Sequence, residues 1–267
     1  MKAPQYIESL KNPKIKQFKK WRDKSRERKK DGTFVAEGLQ ECRMAFQAGY
    51  EISFVLFCPD FIEMDQVLDE VPEVSNAEYL QCSTEVLNEL TMRKDVKNIF
   101  IVGKQKSHEL SELKDKEEVS YLICDAVEKP GNLGAIARSA HALGISAIIL
   151  SNPLCDIYNP NAIRSSTGSV FSIPIFTGSR EQIHALLESH QIETFVTHMH
   201  SNAEMLTALT IPKKSAWVIG TENTGLDDSW LSKNYRNVLI PMTDEIDSLN
   251  VSNAAAILMY EVARQRA

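Results

Sequence analysis

Three short stretches combine polar side chains with glycine at spacings that could serve chemistry. In DAVEKPGNLGAIARSAHALG, Gly131 and Gly134 flank Asn132, and Arg138 follows six residues later. By spacing alone this is either a functional loop or a glycine turn followed by a solvated arginine. In WVIGTENTGLDDSW an apolar run ends at Gly220 and Glu222 follows in a turn. A carboxylate there could orient a hydroxyl or an amine, or it could be a helix-end charge satisfied by backbone N–H groups. In DSLNVSNAAAILMYEVARQR, Asp247, Ser248 and Asn250 crowd the start of an apolar helix. Ser248 or Asn250 can cap it, and one cap suffices, so a second polar group is left for another task.

These groups need strands and helices to hold them. After residue 119 the chain alternates apolar runs with amphipathic stretches. The runs are VSYLICD, ISAIILS, VFSIPIF, ETFVTH, AWVIGT and NVLIPM. Helices are expected at Asn132–Leu143, at PNAIRSST, at Ser179–His190, at Ala203–Leu209 and at the C-terminus. Continuous apolar strands between such helices predict a parallel sheet covered on both faces, with ligands at the carboxyl ends of its strands. Each of the three polar stretches follows such a strand. The final helix should bury Val251, Ala254, Ala255, Leu258, Met259 and Val262.

The N-terminal part reads as a smaller α/β domain, residues 1–106. Asn12-Pro13 opens a basic helix to about Lys30, with Phe18 and Trp21 as its apolar contacts. VAEGLQECRMAFQAG is an amphipathic helix, ISFVLFC, AEYLQC and NIFIVG are strands, and FIEMDQVLDEV and STEVLNELT are helices. The polar run 107–118, SHELSELKDKEE, is a linker, and residues 119–267 are the second domain.

The chain has 267 residues and a formal net charge of -6, unevenly spread. Residues 1–30 hold 12 Lys/Arg against 3 Asp/Glu, so the remainder is strongly acidic. A basic arm on an acidic body is the footprint of a phosphate-binding segment, or else of a salt-bridged surface helix. No apolar run reaches the roughly 20 residues that span a bilayer, and the N-terminus lacks a secretory h-region. The five cysteines form no C-x-x-C pair. These features predict a cytoplasmic protein with reduced thiols, no membrane contact and no metal. Neither a G-x-G-x-x-G motif nor a P-loop nor H-E-x-x-H occurs. His198 and His200 read as an incidental pair rather than as metal ligands.

Taken together, the stretches resemble the SpoU (TrmH-like) branch of the SPOUT RNA methyltransferases. PGNLGAIARSAHALG is similar to the family's first motif, VIGTENTGL to its second and IPMTDEIDSLNVSNAAAILMYE to its third; NAIRSSTGSVFSIPI between them also fits. SLKNPKIKQFKKWRDKSRERKKDGTFVAEGLQEC resembles the L30e-like substrate-binding domain of many ribosomal-RNA members. The resemblance implies a parallel α/β sheet with a C-terminal trefoil knot, S-adenosylmethionine as cofactor, and methylation of a ribose 2'-hydroxyl of RNA by a homodimer. Asn132, Arg138, Glu222, Ser248 and Asn250 stand at the family's polar active-site positions. Gly220, Ile240 and Leu249 stand at cofactor-contacting ones, and Met242 is placed in the same loop. Thr167 and Asn253 depart from the family's usual small residues, at positions that are not catalytic.

On this resemblance the substrate is ribosomal RNA, because tRNA-type members usually lack the N-terminal extension. A tRNA 2'-O-methyltransferase is the nearer alternative, and a non-catalytic RNA-binding assembly protein the more distant one. A guanidinium whose pKa exceeds about 12 is a poor base. Arg138 is therefore expected to bind phosphate and stabilise a developing alkoxide, with a phosphate oxygen, Glu222 or water taking the proton.

Overall fold

The computed structural model describes residues 4–72, 77–92, 99–198, 203–221, 225–243 and 248–267. In chain order the elements are β1 (Gln5–Ile7), α1 (Pro13–Asp23), α2 (Ser25–Asp31), β2 (Thr33–Glu37), α3 (Leu39–Gln47), β3 (Ile52–Phe57), α4 (Met64–Glu70), β4 (Glu78–Cys82), α5 (Thr84–Leu90) and β5 (Phe100–Lys104). Then come β6 (Val119–Asp125), α6 (Pro130–Ala142), β7 (Ala147–Ser151), α7 (Pro160–Ser165), β8 (Ile175–Gly178), α8 (Arg180–Ser189), β9 (Glu193–Val196), β10 (Glu204–Met205), β11 (Lys214–Ile219), α9 (Asp228–Leu231), β12 (Arg236–Leu239) and α10 (Val251–Arg266).

The chain forms two compact units, residues 1–106 with 156–172, and residues 107–155 with 173–267. This grouping differs from a contiguous second domain starting at 119. The segment 156–172 joins the first unit for a physical reason. Arg28, 1% exposed, donates to Asp156 Oδ2 from Nε at 2.9 Å and from Nη2 at 2.7 Å. Tyr158 stacks on Phe34 with centroids 5.7 Å apart, and Phe171 lies 4.9 Å from the same ring. A buried cation needs its full set of acceptors, and this segment supplies the charged one.

The first unit's sheet runs β1-β4-β3-β5-β2, with β5 antiparallel to both β2 and β3. The expected single basic helix is two. Lys24 is extended (φ -122°), and Arg28 Nη1 donates to the carbonyls of Trp21 and Arg22 at 2.7 and 3.0 Å. That guanidinium satisfies the open end of α1 and forces the break. Asn12 caps α1, accepting from the Lys14 N–H at 2.9 Å, as its sequence position predicts. The helix expected from Val35 begins only at Leu39. Gly38 takes φ +110°, and Phe34, Val35 and Ala36 are buried in strand β2 instead.

The second unit's sheet runs β10-β12-β9-β11-β6-β7-β8, with every neighbouring pair parallel. This is the parallel α/β sheet that the alternation predicts. Three local expectations give way. Residues 107–118 are not a bare linker, because Leu110 and Leu113 are buried in this unit's core and the Thr177 N–H donates to the His108 carbonyl at 2.7 Å. Residues 203–209 form β10 and a short 3-10 turn rather than a helix. The strand expected from Val170 starts at Ile175, after a 3-10 turn over Ser169–Phe171 that follows Gly168 at φ +87°. The trefoil knot depends on how the C-terminal segment threads, and residues 244–247 lie outside the described residues. Among the described residues no helix is long and apolar enough to cross a membrane.

Candidate active site

Three adjacent parallel strands, β12, β9 and β11, end side by side, and the chain leaving each helps to wall one cavity of about 310 Å³. Thr197 and His198 follow β9; Ile219, Gly220, Thr221 and Gly225 come from the end of β11 and its loop. Val238, Leu239, Ile240 and Met242 come from β12 and beyond, and Ser248, Leu249, Val251 and Ala254 from the entry to α10. The volume falls at the low end of small-molecule sites, about 300–1,000 Å³. The lining is mainly aliphatic and backbone, with hydroxyls at Thr197, Thr221 and Ser248 and the imidazole of His198. It suits a ligand with an apolar body held by main-chain groups.

Gly220 is fixed by close approach. A Cβ there would stand 2.3 Å from the Gly225 carbonyl oxygen and 2.8 Å from the Leu226 nitrogen. Thr221 and Gly225 exchange backbone hydrogen bonds at 3.1 and 3.2 Å, and Leu226 is buried in the core. The loop thus folds back onto the end of β11 at a distance only glycine permits. On the other side, Thr197 donates from N and Oγ1 to the Val218 carbonyl at 3.1 and 3.0 Å, and the His198 N–H donates to Asn237 Oδ1 at 3.0 Å.

Asn250 resolves the crowding of polar groups before α10. Its Oδ1 caps the helix, accepting from the Ser252 N–H at 2.9 Å, while its Nδ2 donates to Asn132 Oδ1 at 3.3 Å. One side chain therefore both starts α10 and reaches the first turn of α6. Ser248, freed from capping, lines the cavity. Asn132 also lines a smaller recess that shares Gly220, Thr221 and Val251 with the cavity. The helix itself buries Val251, Ala255, Leu258, Met259 and Val262. Ala254, expected in that core, faces the cavity instead.

Of the residues singled out from sequence, Gly220, Ile240, Met242, Ser248 and Leu249 share one cavity, and Asn132 and Asn250 are bonded beside it. Arg138 is exposed on α6 and does not line the cavity. Glu222 and His200 lie outside the described residues. Sequence reasoning missed Thr197, Thr221, Gly225, Val238 and Leu239, and treated His198 as incidental. All but Gly225 share one signal, a position at or near the end of an apolar strand or just after it, which the carboxyl-end rule would have flagged; Gly225, six residues beyond the end of β11, carries no such signal. No cysteine lines the cavity. Burial pushes the Cys124 thiol well above its ordinary range and that of Cys82 to about 12, which leaves neither as a ready nucleophile.

Comparison with known proteins bears on this geometry. Residues 120–260 match the SpoU rRNA Methylase family, and residues 12–100 match the MRM3-like substrate binding domain. The chain is 30% identical over 262 residues to the 23S rRNA (guanosine(2553)-2'-O)-methyltransferase RlmP of Bacillus subtilis (strain 168), covering 96% of this chain and 98% of that one. Among solved structures it is similar to an AdoMet-bound rRNA methyltransferase from Sinorhizobium meliloti, with TM-score 0.88 and 27% identity over 98% of both chains. It is also similar to the SpoU methyltransferase AviRb from Streptomyces viridochromogenes in complex with AdoMet, with TM-score 0.86 and 26% identity over 96% of this chain and 98% of that one.

Proposed function

The chain belongs to the SpoU rRNA methylase family, and from that premise we propose that it methylates a ribose 2'-hydroxyl of ribosomal RNA with S-adenosylmethionine as donor. The observation that carries this reading is the cavity at the carboxyl ends of β12, β9 and β11, joined at its edge to the Asn132–Asn250 pair. The cavity fits the cofactor. Gly220 keeps its wall free of a side chain, and Ile240, Met242 and Leu249 offer apolar surface and main-chain groups to an adenosine. Bound there, S-adenosylmethionine supplies an electrophilic methyl group on a positively charged sulfur.

The chain's own residues do the rest. Asn132 and Asn250, held to each other, and Ser248 position the ribose hydroxyl. Orientation of an acceptor oxygen in line with the methyl carbon is the main source of rate in such a displacement. Arg138, exposed on α6, is free of the cavity and available to RNA. Its guanidinium grips the phosphate next to the target ribose and stabilises the oxyanion as the proton leaves. Glu222, a phosphate oxygen or water accepts that proton.

RNA is held by the N-terminal unit, residues 1–106. Its helical arm sorts its cations into two sets. Lys14, Lys19, Arg22 and Arg28 pair with Glu78, Glu89, Asp23 and Asp156 and are at most partly exposed. Lys11, Lys16, Lys20, Lys24, Arg26, Lys29 and Lys30 are exposed, and no ion pair holds them among the described residues. The first set holds the fold and the second faces the phosphates. Asn253, Ile257, Tyr260 and Arg264 form an exposed stripe on α10 at helical spacing, which supports a homodimer built on that helix. A ribosomal RNA substrate supports a cytoplasmic location.

The test is transfer of tritiated methyl from S-adenosylmethionine to ribosomal RNA and to tRNA, offered separately from cells lacking the gene. Label in ribosomal RNA at an alkali-resistant linkage supports the reading. Label in tRNA alone keeps the chemistry and overturns the substrate. Absence of label in free RNA and in ribosomal particles overturns the enzyme.

A further inference from the structure

Arg180, the first residue of α8, holds two carboxylates that belong to distant parts of the chain. Its Nε lies 3.0 and 3.2 Å from the two oxygens of Asp125, and its Nη2 3.1 Å from Asp125 Oδ2. Its Nη1 lies 3.0 Å from Asp227 Oδ2. Asp125 is the last residue of β6 and is 2% exposed. It sits at the carboxyl edge of the sheet, on the strand that pairs with β11. Asp227 caps α9, accepting from the Ser229 N–H at 3.0 Å, and follows directly on Gly225 and Leu226.

Gly225, Leu226 and Asp227 are thus fastened at three points. Thr221 and Gly225 bond to each other, Leu226 is buried in the core, and Asp227 is tied through Arg180 to the end of β6. The stretch so fastened supplies Gly225 to the cavity wall, beside Gly220 and Thr221. Two N–H donors of one guanidinium on the Asp125 carboxylate fix direction as well as distance, which lysine cannot reproduce, and the third nitrogen meets Asp227 as an ion pair. We infer that Arg180 is a positioning residue for the reaction: anchored by the buried Asp125, it holds Leu226 and Gly225, through Asp227, in the place where Gly225 walls the cavity that receives S-adenosylmethionine. This rests on the functional reading above and adds to it a residue that touches neither cofactor nor RNA.

Removing Arg180 would leave the buried Asp125 charge unpaired and damage the fold, so the outer arm is the one to test. Asp227→Asn keeps an oxygen to cap α9 and leaves the Asp125–Arg180 pair intact, while removing the charge that meets Nη1. The expected result is a rise of about 3- to 5-fold in the dissociation constant for S-adenosylmethionine, the scale of one partly exposed ion pair. The KM for S-adenosylmethionine should follow, with kcat unchanged and the melting temperature within about 2 °C of the unaltered chain. Arg180→Lys should show the same KM effect, and Asp227→Glu should recover part of the affinity. Asp227→Asn binding S-adenosylmethionine as tightly as the unaltered chain would overturn this inference alone. Failure of the unaltered chain to bind S-adenosylmethionine by calorimetry would overturn the functional reading, and this inference with it.

Discussion

Replacing Gly220 by alanine should do more harm than any other glycine change near the site. The added methyl would meet the Gly225 carbonyl oxygen at 2.3 Å, its carbon at 2.5 Å and the Leu226 nitrogen at 2.8 Å. All three are backbone atoms, so no rotamer relieves the clash. The end of β11 and the turn at 225–226 must separate by about 1 Å to reach ordinary carbon contact distances of roughly 3.5 Å. The turn resists, because the Thr221 and Gly225 hydrogen bonds and the buried Leu226 hold it. Overpacking of this kind costs about 1–3 kcal/mol, and the two hydrogen bonds are worth about 1 kcal/mol each if the turn lets go. A loss of about 2–3 kcal/mol is expected, read as a fall of roughly 4–12 °C in melting temperature. The displaced wall should weaken S-adenosylmethionine binding at least about tenfold, equal to about 1.4 kcal/mol. Gly225→Ala is the control. Its φ is +70°, yet nothing lies within 4 Å of the added carbon. It should cost only the left-handed backbone penalty of about 1–2 kcal/mol. Thermal melts and calorimetry on both variants decide the matter. A Gly220→Ala protein that melts within about 1 °C of the unaltered chain and binds the cofactor normally would refute the close-approach argument.

Arg138→Ala should lower kcat by at least about 100-fold, while S-adenosylmethionine affinity stays within about twofold, because Arg138 lies outside the cavity lining; a fully active variant would remove its role. Reversing Lys16, Lys20 and Lys24 together to glutamate should weaken RNA binding at least about tenfold and flatten the dependence of log K on log salt by about 2, measured by filter binding. Neutralising the paired Lys14 and Lys19 should leave that slope nearly unchanged, and equal effects from the two sets would refute their division. The His184 imidazole is held below its ordinary range, first by burial and then by nearby cations, Lys233 and Arg180. Its folded pKa lies below its unfolded value of about 6.5, so the unfolded chain binds more protons. Its stability contribution is complete above that pH and is lost as the pH falls below it. Melting temperature should drop more steeply from pH 7 to pH 5.5 in the unaltered chain than in His184→Phe; identical slopes would exclude this residue as the cause.

Much of the site was legible because it is local. Cap chemistry at Asn250, a glycine after an apolar strand at Gly220, and apolar runs alternating with helices are written in adjacent residues. What was not legible is held by partners far apart in the chain. Nothing near Arg28 signals that its carboxylate stands at Asp156, and this pair both breaks the basic helix and draws residues 156–172 into the first unit. Likewise Asp125, Arg180 and Asp227 meet only because parallel strands end together. Short elements also escaped. The strand Gln5–Ile7 is too brief to show alternation, and Leu110 and Leu113 are two apolar residues in a charged run. The basic arm was legible from the distribution of charge along the chain, but which of its cations are paired was not, because Glu78, Glu89 and Asp156 lie far away in sequence.

The grouping of residues 156–172 with the first unit also sets a clock on the protein's synthesis. When residue 106 leaves the ribosome, Arg28 has no carboxylate at Asp156 and Phe34 has neither Tyr158 nor Phe171 beside it. Those partners are made about 65 residues later. At about 5–20 residues per second, that is a wait of roughly 3–13 s. Through that interval the nascent N-terminal unit carries an unpaired interior arginine and an uncovered aromatic face, the condition in which chaperones engage a chain. A gene cut after codon 106 would make that condition permanent in one fragment and leave the matching segment stranded in the other.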